Sequence, residues 1–265
     1  MSDLIGSRRC VTTGSADPVA VTTRNLRVGK GVTTPITNPS ADPGTDGATC
    51  RTQGARGNEY SRASAWCNSP GKRIFDLVST SVFLILALPP MLLASLAVAT
   101  SPGPLLFGAD RMGQGGKRIR VLKFRTMAHR KELGLPLTRK GDGRVTKAGR
   151  FLRQWKIDEL PQLINVMRGD MSLVGPRPDS AEFLDALPTN LQCVRTLKPG
   201  ITSTATLKFR NEEDLLSSVP ENELASYYQT TLLPEKVRLD LDYARHATLL
   251  TDLKLLIKTA LAILR

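Results

Sequence analysis

Three clusters of side chains in this 265-residue sequence have the types and spacing to do chemistry. Lys123-Phe124-Arg125-Thr126-Met127 alternates basic with apolar groups, as a strand does when it lines cations along one side. Lys156-Ile157-Asp158-Glu159-Leu160-Pro161 sets two adjacent carboxylates ahead of a proline, and Gly175-Pro176-Arg177-Pro178 follows with an arginine between rigid residues. Lys198-Pro199-Gly200-Ile201-Thr202 leads on to Lys208-Phe209-Arg210-Asn211. A guanidinium matches phosphate oxygens with two parallel donors. Carboxylates amid such cations suit a Mg²⁺ ion bridging to phosphate, and a carboxylate can itself attack phosphorus to give an acyl phosphate. The plainer role for Asp158 and Glu159 is to complement a helix N-terminus at Pro161. From these residues alone, phosphoryl chemistry and helix capping both stand open.

The elements that must hold these clusters carry an uneven charge. Of the formal net charge of +13, residues 1–71 contribute +3, 72–110 zero, 111–156 the full +13 and 157–265 −3. A basic stretch of this density suits a polyanion: nucleic acid, an anionic lipid surface or phosphorylated substrates. Aromatics make up only 5% of the chain and do not interleave the cations, which argues against nucleic acid as partner. The four cysteines have no metal-ligand spacing and there are two histidines, so a structural zinc site is not expected.

Residues 1–70 are rich in Thr, Ser, Gly, Pro and Asp without periodicity, and read as a disordered tail. Leu77 to Ala99 then runs 23 residues without a charge, long enough to cross a bilayer as a helix. Pro89 and Pro90 stand at its middle, where each removes a backbone donor and crowds the preceding turn. Each arm is then about 12 residues, or roughly 18 Å of helix, half the hydrocarbon thickness. Lys72 and Arg73 precede the segment and Arg111, Lys117, Arg118 and Arg120 follow it, favouring both ends on the cytoplasmic side. The expectation is a re-entrant membrane helix-break-helix over 71–103, with Ser79 or Ser81 helping the freed carbonyls; a kinked spanning helix and a buried soluble helix are the alternatives. Beyond it, residues 104–265 form the expected catalytic domain. Leu105 to Phe107 and Ile119 to Phe124 read as strands joined by a Gly113–Gly116 turn. Residues 144–156 read as a basic amphipathic helix suited to anionic lipid, and further helices are expected over 160–168, 220–243 with an interruption near Pro234, and 249–264. The fold class is therefore α/β of irregular type: a re-entrant hairpin, amphipathic interfacial helices and a small β element.

Taken together and in order, KRIFDL, SPGPLLF, KFRTM, TKAGRFLR, DELPQLINVMRGDMSLVGPRP, KPGIT and DLKLLIKT make residues 71–265 resemble the bacterial sugar transferase family of small monotopic phosphoglycosyltransferases. The resemblance implies transfer of a sugar 1-phosphate from a UDP-sugar to a polyprenyl phosphate, commonly undecaprenyl phosphate, at the cytoplasmic face of the bacterial inner membrane. It further implies Asp158 as nucleophile, with UMP released and a phosphosugar left on the enzyme. Glu159 would help organise Mg²⁺ or the acceptor phosphate, so Asp158 and Glu159 together form the expected metal site. Lys123, Arg125, Arg177 and Arg210 would neutralise phosphate charge. Such enzymes initiate exopolysaccharide, O-antigen or glycoprotein glycan assembly. The segment Ser203 to Phe209 departs from the Gly-Ile-Thr-Gly pattern of many relatives, which leaves the sugar unnamed. The tail lacks extra membrane helices, so the minimal catalytic type is expected. A non-catalytic basic membrane-surface protein, or a glycosyltransferase that releases UDP, are the rival readings. The oligomeric state is not written in the sequence.

Overall fold

A computed structural model describes residues 62–128 and 137–263. Most of the expected tail, residues 1–61, lies outside the described residues. Residues 62–70 are tied down: the Ser64 hydroxyl donates to Ala247 O at 2.7 Å, and the Trp66 indole donates to Asp252 at 2.9 Å. A capping serine and one indole give this short turn partners that its composition does not reveal.

Helix α1 (Pro70–Ala99) starts where Ser69 accepts from the Lys72 amide at 3.0 Å and Pro70 occupies the first turn. It runs 30 residues as one element with Pro89 and Pro90 inside it. The break expected there is not expressed as two separate helices. The right-handed backbone carries through both prolines, although neither can donate to the turn before it. Ser81 does not assist: its hydroxyl donates to Leu77 O at 2.9 Å, its own i−4 carbonyl. Lys72, Asp76, Thr80, Ala87, Ala94 and Val98 form a buried stripe along the helix, while Ile85, Leu86, Leu92, Leu93 and Leu96 on other faces are exposed. By length and composition α1 could cross a membrane.

Strands β1 (Leu106–Met112) and β2 (Arg118–Phe124) pair antiparallel from Leu106↔Phe124 to Met112↔Arg118, turning at glycines 113, 115 and 116 as expected. Helix α2 (Lys147–Gln154) begins at Thr146, which accepts from the Gly149 amide, and leaves Phe151 and Trp155 exposed. A short 3₁₀ turn (Ile157–Glu159) leads into α3 (Gln162–Arg168). Strand β3 (Ser172–Val174) follows, then α4 (Ala181–Asp185), and β4 (Gly200–Thr202) lies parallel to β3. Gly175 and Gly200 meet backbone to backbone: a Cβ on Gly200 would stand 2.1 Å from the Gly175 amide nitrogen, so only glycine fits. This contact joins the Gly-Pro-Arg-Pro and Lys-Pro-Gly-Ile-Thr motifs, a pairing invisible to local pattern.

The rest is helical: α5 (Thr204–Lys208), α6 (Glu212–Ser217), α7 (Leu224–Tyr227), α8 (Leu233–Arg245) and α9 (Leu249–Ile263). The interruption expected near Pro234 is a π turn, Tyr228–Leu232, with Pro234 in the first turn of α8. The core gathers Val166, Met171, Val174, Leu191, Leu216 and Leu232, with Phe183 against Tyr228 at 4.9 Å between ring centres. Small sheets in a helix-rich body agree with the irregular α/β class.

Candidate active site

The chain reaches the carboxylate pair through a reversal. Helix α2 ends at Gln154, and Lys156 takes left-handed geometry (φ 55°, ψ 18°). It is the one non-glycine residue with positive φ among the described residues, a conformation that a lysine adopts at some cost. The backbone then turns right-handed and delivers Asp158 and Glu159 in sequence, facing β2 on one side and the β3–α4 connection on the other.

The two acids end in different surroundings. Glu159 is gripped by cations: Lys123 Nζ lies 2.9 Å from its Oε1, and Arg177 reaches both oxygens at 2.6 and 3.2 Å. Burial pushes the Glu159 carboxyl up more than any other single influence, yet Arg177 and Lys123 together hold it well below the usual carboxylate range. Reciprocally, Glu159 raises Arg177 above its ordinary value, and burial draws the Lys123 ammonium down against the pull of Glu159. Asp158 is only 6% exposed, and its Oδ1 is enclosed without a hydrogen-bond partner. Its carboxyl is pushed up, first by burial and then by the neighbouring Glu159, while Lys123, Arg153 and Lys156 pull it down. One acid is thus fixed as an anion between cations, and the other is desolvated and uncommitted.

Of the residues singled out in sequence, Lys123, Asp158, Glu159 and Arg177 come together. Arg125 does not join them. Its guanidinium is buried at the end of α1, donating to Val98 O at 3.2 Å, to Ser101 O at 2.7 Å and to Pro102 O. It therefore caps a helix C-terminus, where exposed carbonyls and the dipole favour a cation. Alternation along Lys123-Phe124-Arg125 puts both cations on one side, but the sequence does not say that the strand ends at Phe124 and the chain leaves the sheet there. Arg210 is exposed after α5 and makes no hydrogen bond or ion pair among the described residues. Pro89 and Pro90 lie within α1.

Sequence reasoning passed over Arg153, which donates to Thr126 Oγ1 at 2.9 Å and to Glu213 at 3.0 Å and so ties α2 to the segment after β2 and to α6. It also passed over Gln162, 2% exposed with its side-chain nitrogen unpartnered. Only its place inside the long central motif could have flagged it. Among the described residues no three His, Cys, Asp or Glu side chains gather as a metal cage.

The relatives of this chain place the carboxylate pair, one acid clamped by cations and the other without a hydrogen bond, in a phosphoglycosyltransferase. More particularly, the chain belongs to the bacterial sugar transferase family, whose model matches residues 67–265. It is 37% identical over 200 residues to a UDP-glucose:undecaprenyl-phosphate glucose-1-phosphate transferase of Caulobacter vibrioides, covering 73% of this chain and 69% of that protein. It is 35% identical over 210 residues to an undecaprenyl-phosphate galactose phosphotransferase of Salmonella typhimurium, and 36% identical over 194 residues to a UDP-glucose:undecaprenyl-phosphate glucose-1-phosphate transferase of Escherichia coli. The match covers 73% and 71% of this chain but only 40% and 39% of those two relatives.

Proposed function

We propose that the chain transfers a sugar 1-phosphate from a UDP-sugar to a polyprenyl phosphate, such as undecaprenyl phosphate, through a phosphosugar carried on Asp158. The observation that carries this reading is the division of labour in the dyad: both Glu159 oxygens are held by cations, whereas among the described residues no cation forms an ion pair with Asp158. A desolvated carboxylate that no cation holds in an ion pair is the freer of the two to attack phosphorus.

In the first half-reaction an Asp158 oxygen bonds to the β-phosphorus, and the bond from that phosphorus to the bridging oxygen breaks. UMP leaves with the bridging oxygen. In the second, an oxygen of the polyprenyl phosphate attacks the same phosphorus, the acyl-phosphate bond breaks and the Asp158 carboxylate returns. Lys123 and Arg177, fixed in place by Glu159, bring positive charge to phosphate oxygens without reorganising at the moment of reaction. Glu159 acts here chiefly by positioning those two cations. Arg210, exposed and uncommitted, is available to a donor or acceptor phosphate.

Cations already hold both Glu159 oxygens, so of the dyad only Asp158 is open to Mg²⁺, and substrate phosphate oxygens would supply the other ligands, the way this ion is commonly held. Bound there, it would supply neutralisation of phosphate charge.

The site belongs at the inner face of a bacterial cytoplasmic membrane, in a monotopic arrangement. Support comes from α1: both of its ends and its middle contact the same charged body, through Lys72–Asp252 at one end, Ala87 in the main core, and Val98 against Phe124 and Leu152 at the other. A helix crossing roughly 30 Å of hydrocarbon would drag that body into the lipid with it. A path that keeps both ends of α1 on one side of the bilayer, with its apolar face in one leaflet, avoids this. The basic hairpin residues Lys117, Arg118 and Arg120 suit anionic lipid headgroups. The reading places the enzyme at the first, membrane-committing step of exopolysaccharide, O-antigen or glycoprotein glycan assembly.

Nucleotide release from a panel of UDP-sugars, with undecaprenyl phosphate and Mg²⁺, tests the reaction. UMP from the wild type, abolished in Asp158→Asn, is the expected result. UDP in its place would indicate an ordinary glycosyltransferase, and no release from any donor would favour a non-catalytic membrane-surface protein.

A further inference from the structure

Among the described residues, one buried atom of the dyad and one of a neighbouring side chain lack partners, and they are complementary. Asp158 Oδ1 is an acceptor and Gln162 Nε2 a donor, each enclosed with no hydrogen bond. Both residues sit on one run of right-handed backbone, four positions apart, and both are turned inward at 6% and 2% exposure. The flanks of Gln162 fix where it points. Glu159, three residues before it, bonds Lys123 on β2. Asn165, three residues after it, accepts from the Leu122 amide at 2.9 Å and donates to Arg120 O at 2.9 Å. Residues three apart on a helix lie on neighbouring parts of its surface, which puts Gln162 on the face that carries those two contacts to β2, within one turn of Asp158.

An enclosed amide without a partner is destabilising, and an apolar side chain of the same size would relieve that. A polar group kept in such a place calls for a partner in some other state of the molecule. A phosphate arriving from solvent has no route to an atom that solvent does not touch; Asp158 Oδ1 is already inside. We propose that Gln162 is a positioning residue for the nucleophile: rotation of its side chain brings Nε2–H onto Asp158 Oδ1 when the donor binds. One carboxylate oxygen is then pinned and the other is left facing phosphorus. No proton is transferred in this step. The inference rests on Asp158 being the nucleophile.

The test compares wild type, Gln162→Met and Gln162→Leu in detergent or nanodiscs. Without acceptor, the rate of covalent phosphosugar formation is followed by intact-protein mass spectrometry, using UDP-glucose, UDP-galactose and UDP-N-acetylgalactosamine as probes. Whichever probe labels the wild type is then used for KM in the full reaction. Loss of a hydrogen bond to a charged group predicts labelling about 10- to 100-fold slower in both variants. KM for the nucleotide sugar should stay within about threefold, because uniform binding is untouched. The melting temperature should be unchanged or higher, since an unsatisfied buried group has gone. Unchanged labelling would overturn the inference while leaving Asp158 as nucleophile. A lower melting temperature in both variants would overturn it too, by showing the amide to be structural. If no probe labels the wild type, the nucleophile reading itself falls and the inference with it.

Discussion

Replacing Glu159 with Gln separates the charge of the dyad from its shape. The amide keeps the size and an acceptor but strands Lys123 and Arg177, which now sit 2.9 and 2.6 Å from the carboxylate. Removing one partner of a buried ion pair costs about 3–5 kcal/mol. The two cations keep 27% and 29% side-chain exposure, so water takes up part of that, and about 2–3 kcal/mol is expected. For a folded body of this size, each kcal/mol lowers the melting temperature by roughly 2–4 °C, giving a drop of about 4–12 °C. Differential scanning fluorimetry in detergent reads it directly. The pH dependence has a definite sign. Glu159 is held well below its ordinary value of 4.5, so its contribution is present above that pH and is lost as pH falls through the lower folded value. The gap between wild type and Glu159→Gln should therefore be constant from about pH 6 to 8 and narrow in acid. Adding Lys123→Met to Glu159→Gln removes one stranded cation and should recover about 1 kcal/mol. A melting temperature unmoved by Glu159→Gln, or two substitutions whose costs simply add, would refute the clamp.

Three other outcomes follow from single contacts. Arg125→Met should destabilise by about 3 kcal/mol by removing a buried cation and uncapping Val98, Ser101 and Pro102 carbonyls, while turnover per folded molecule changes less than about threefold; thermal melts beside active-site-normalised rates check it. Burial pushes Asp240 up to about 6, so stability from this group is full below its ordinary 3.8 and is lost as pH rises through about 6. At pH 7.5, Asp240→Asn should accordingly be about 2–3 kcal/mol more stable than wild type before any loss at its bond from the Ala205 amide, with the advantage vanishing near pH 4 in melts across that range. Asp252→Asn leaves Lys72 buried without its 2.6 Å partner and weakens the Trp66 and Tyr243 contacts; a loss of about 3–5 kcal/mol in chemical denaturation is expected.

What was legible in the sequence was local or periodic. The β1–β2 hairpin, the basic helix before the dyad, the interruption near Pro234 and the C-terminal helix all follow from alternation, helical spacing or turn residues. Lys123, Asp158, Glu159 and Arg177 converge as their chemistry suggests. Three things were not legible. Arg125 looks like a second phosphate ligand because alternation cannot say where a strand ends. The parallel β3–β4 pair consists of two three-residue strands separated by 25 residues, and rests on a glycine contact with no local signature. Pro89-Pro90 predicts a break, but whether a helix carries through two prolines depends on what packs along its length, and here a buried stripe runs on both sides of them.

The proposed role of Asp158 as carrier of the sugar phosphate is open to direct measurement. The direct measurement incubates wild type with a UDP-sugar and Mg²⁺, without acceptor, and maps any adduct by peptide mass spectrometry. A hexose-phosphate or N-acetylhexosamine-phosphate mass is expected on Asp158, discharged when undecaprenyl phosphate is added and absent from Asp158→Asn. An active enzyme that never acquires the adduct, or acquires it on Glu159, would contradict it.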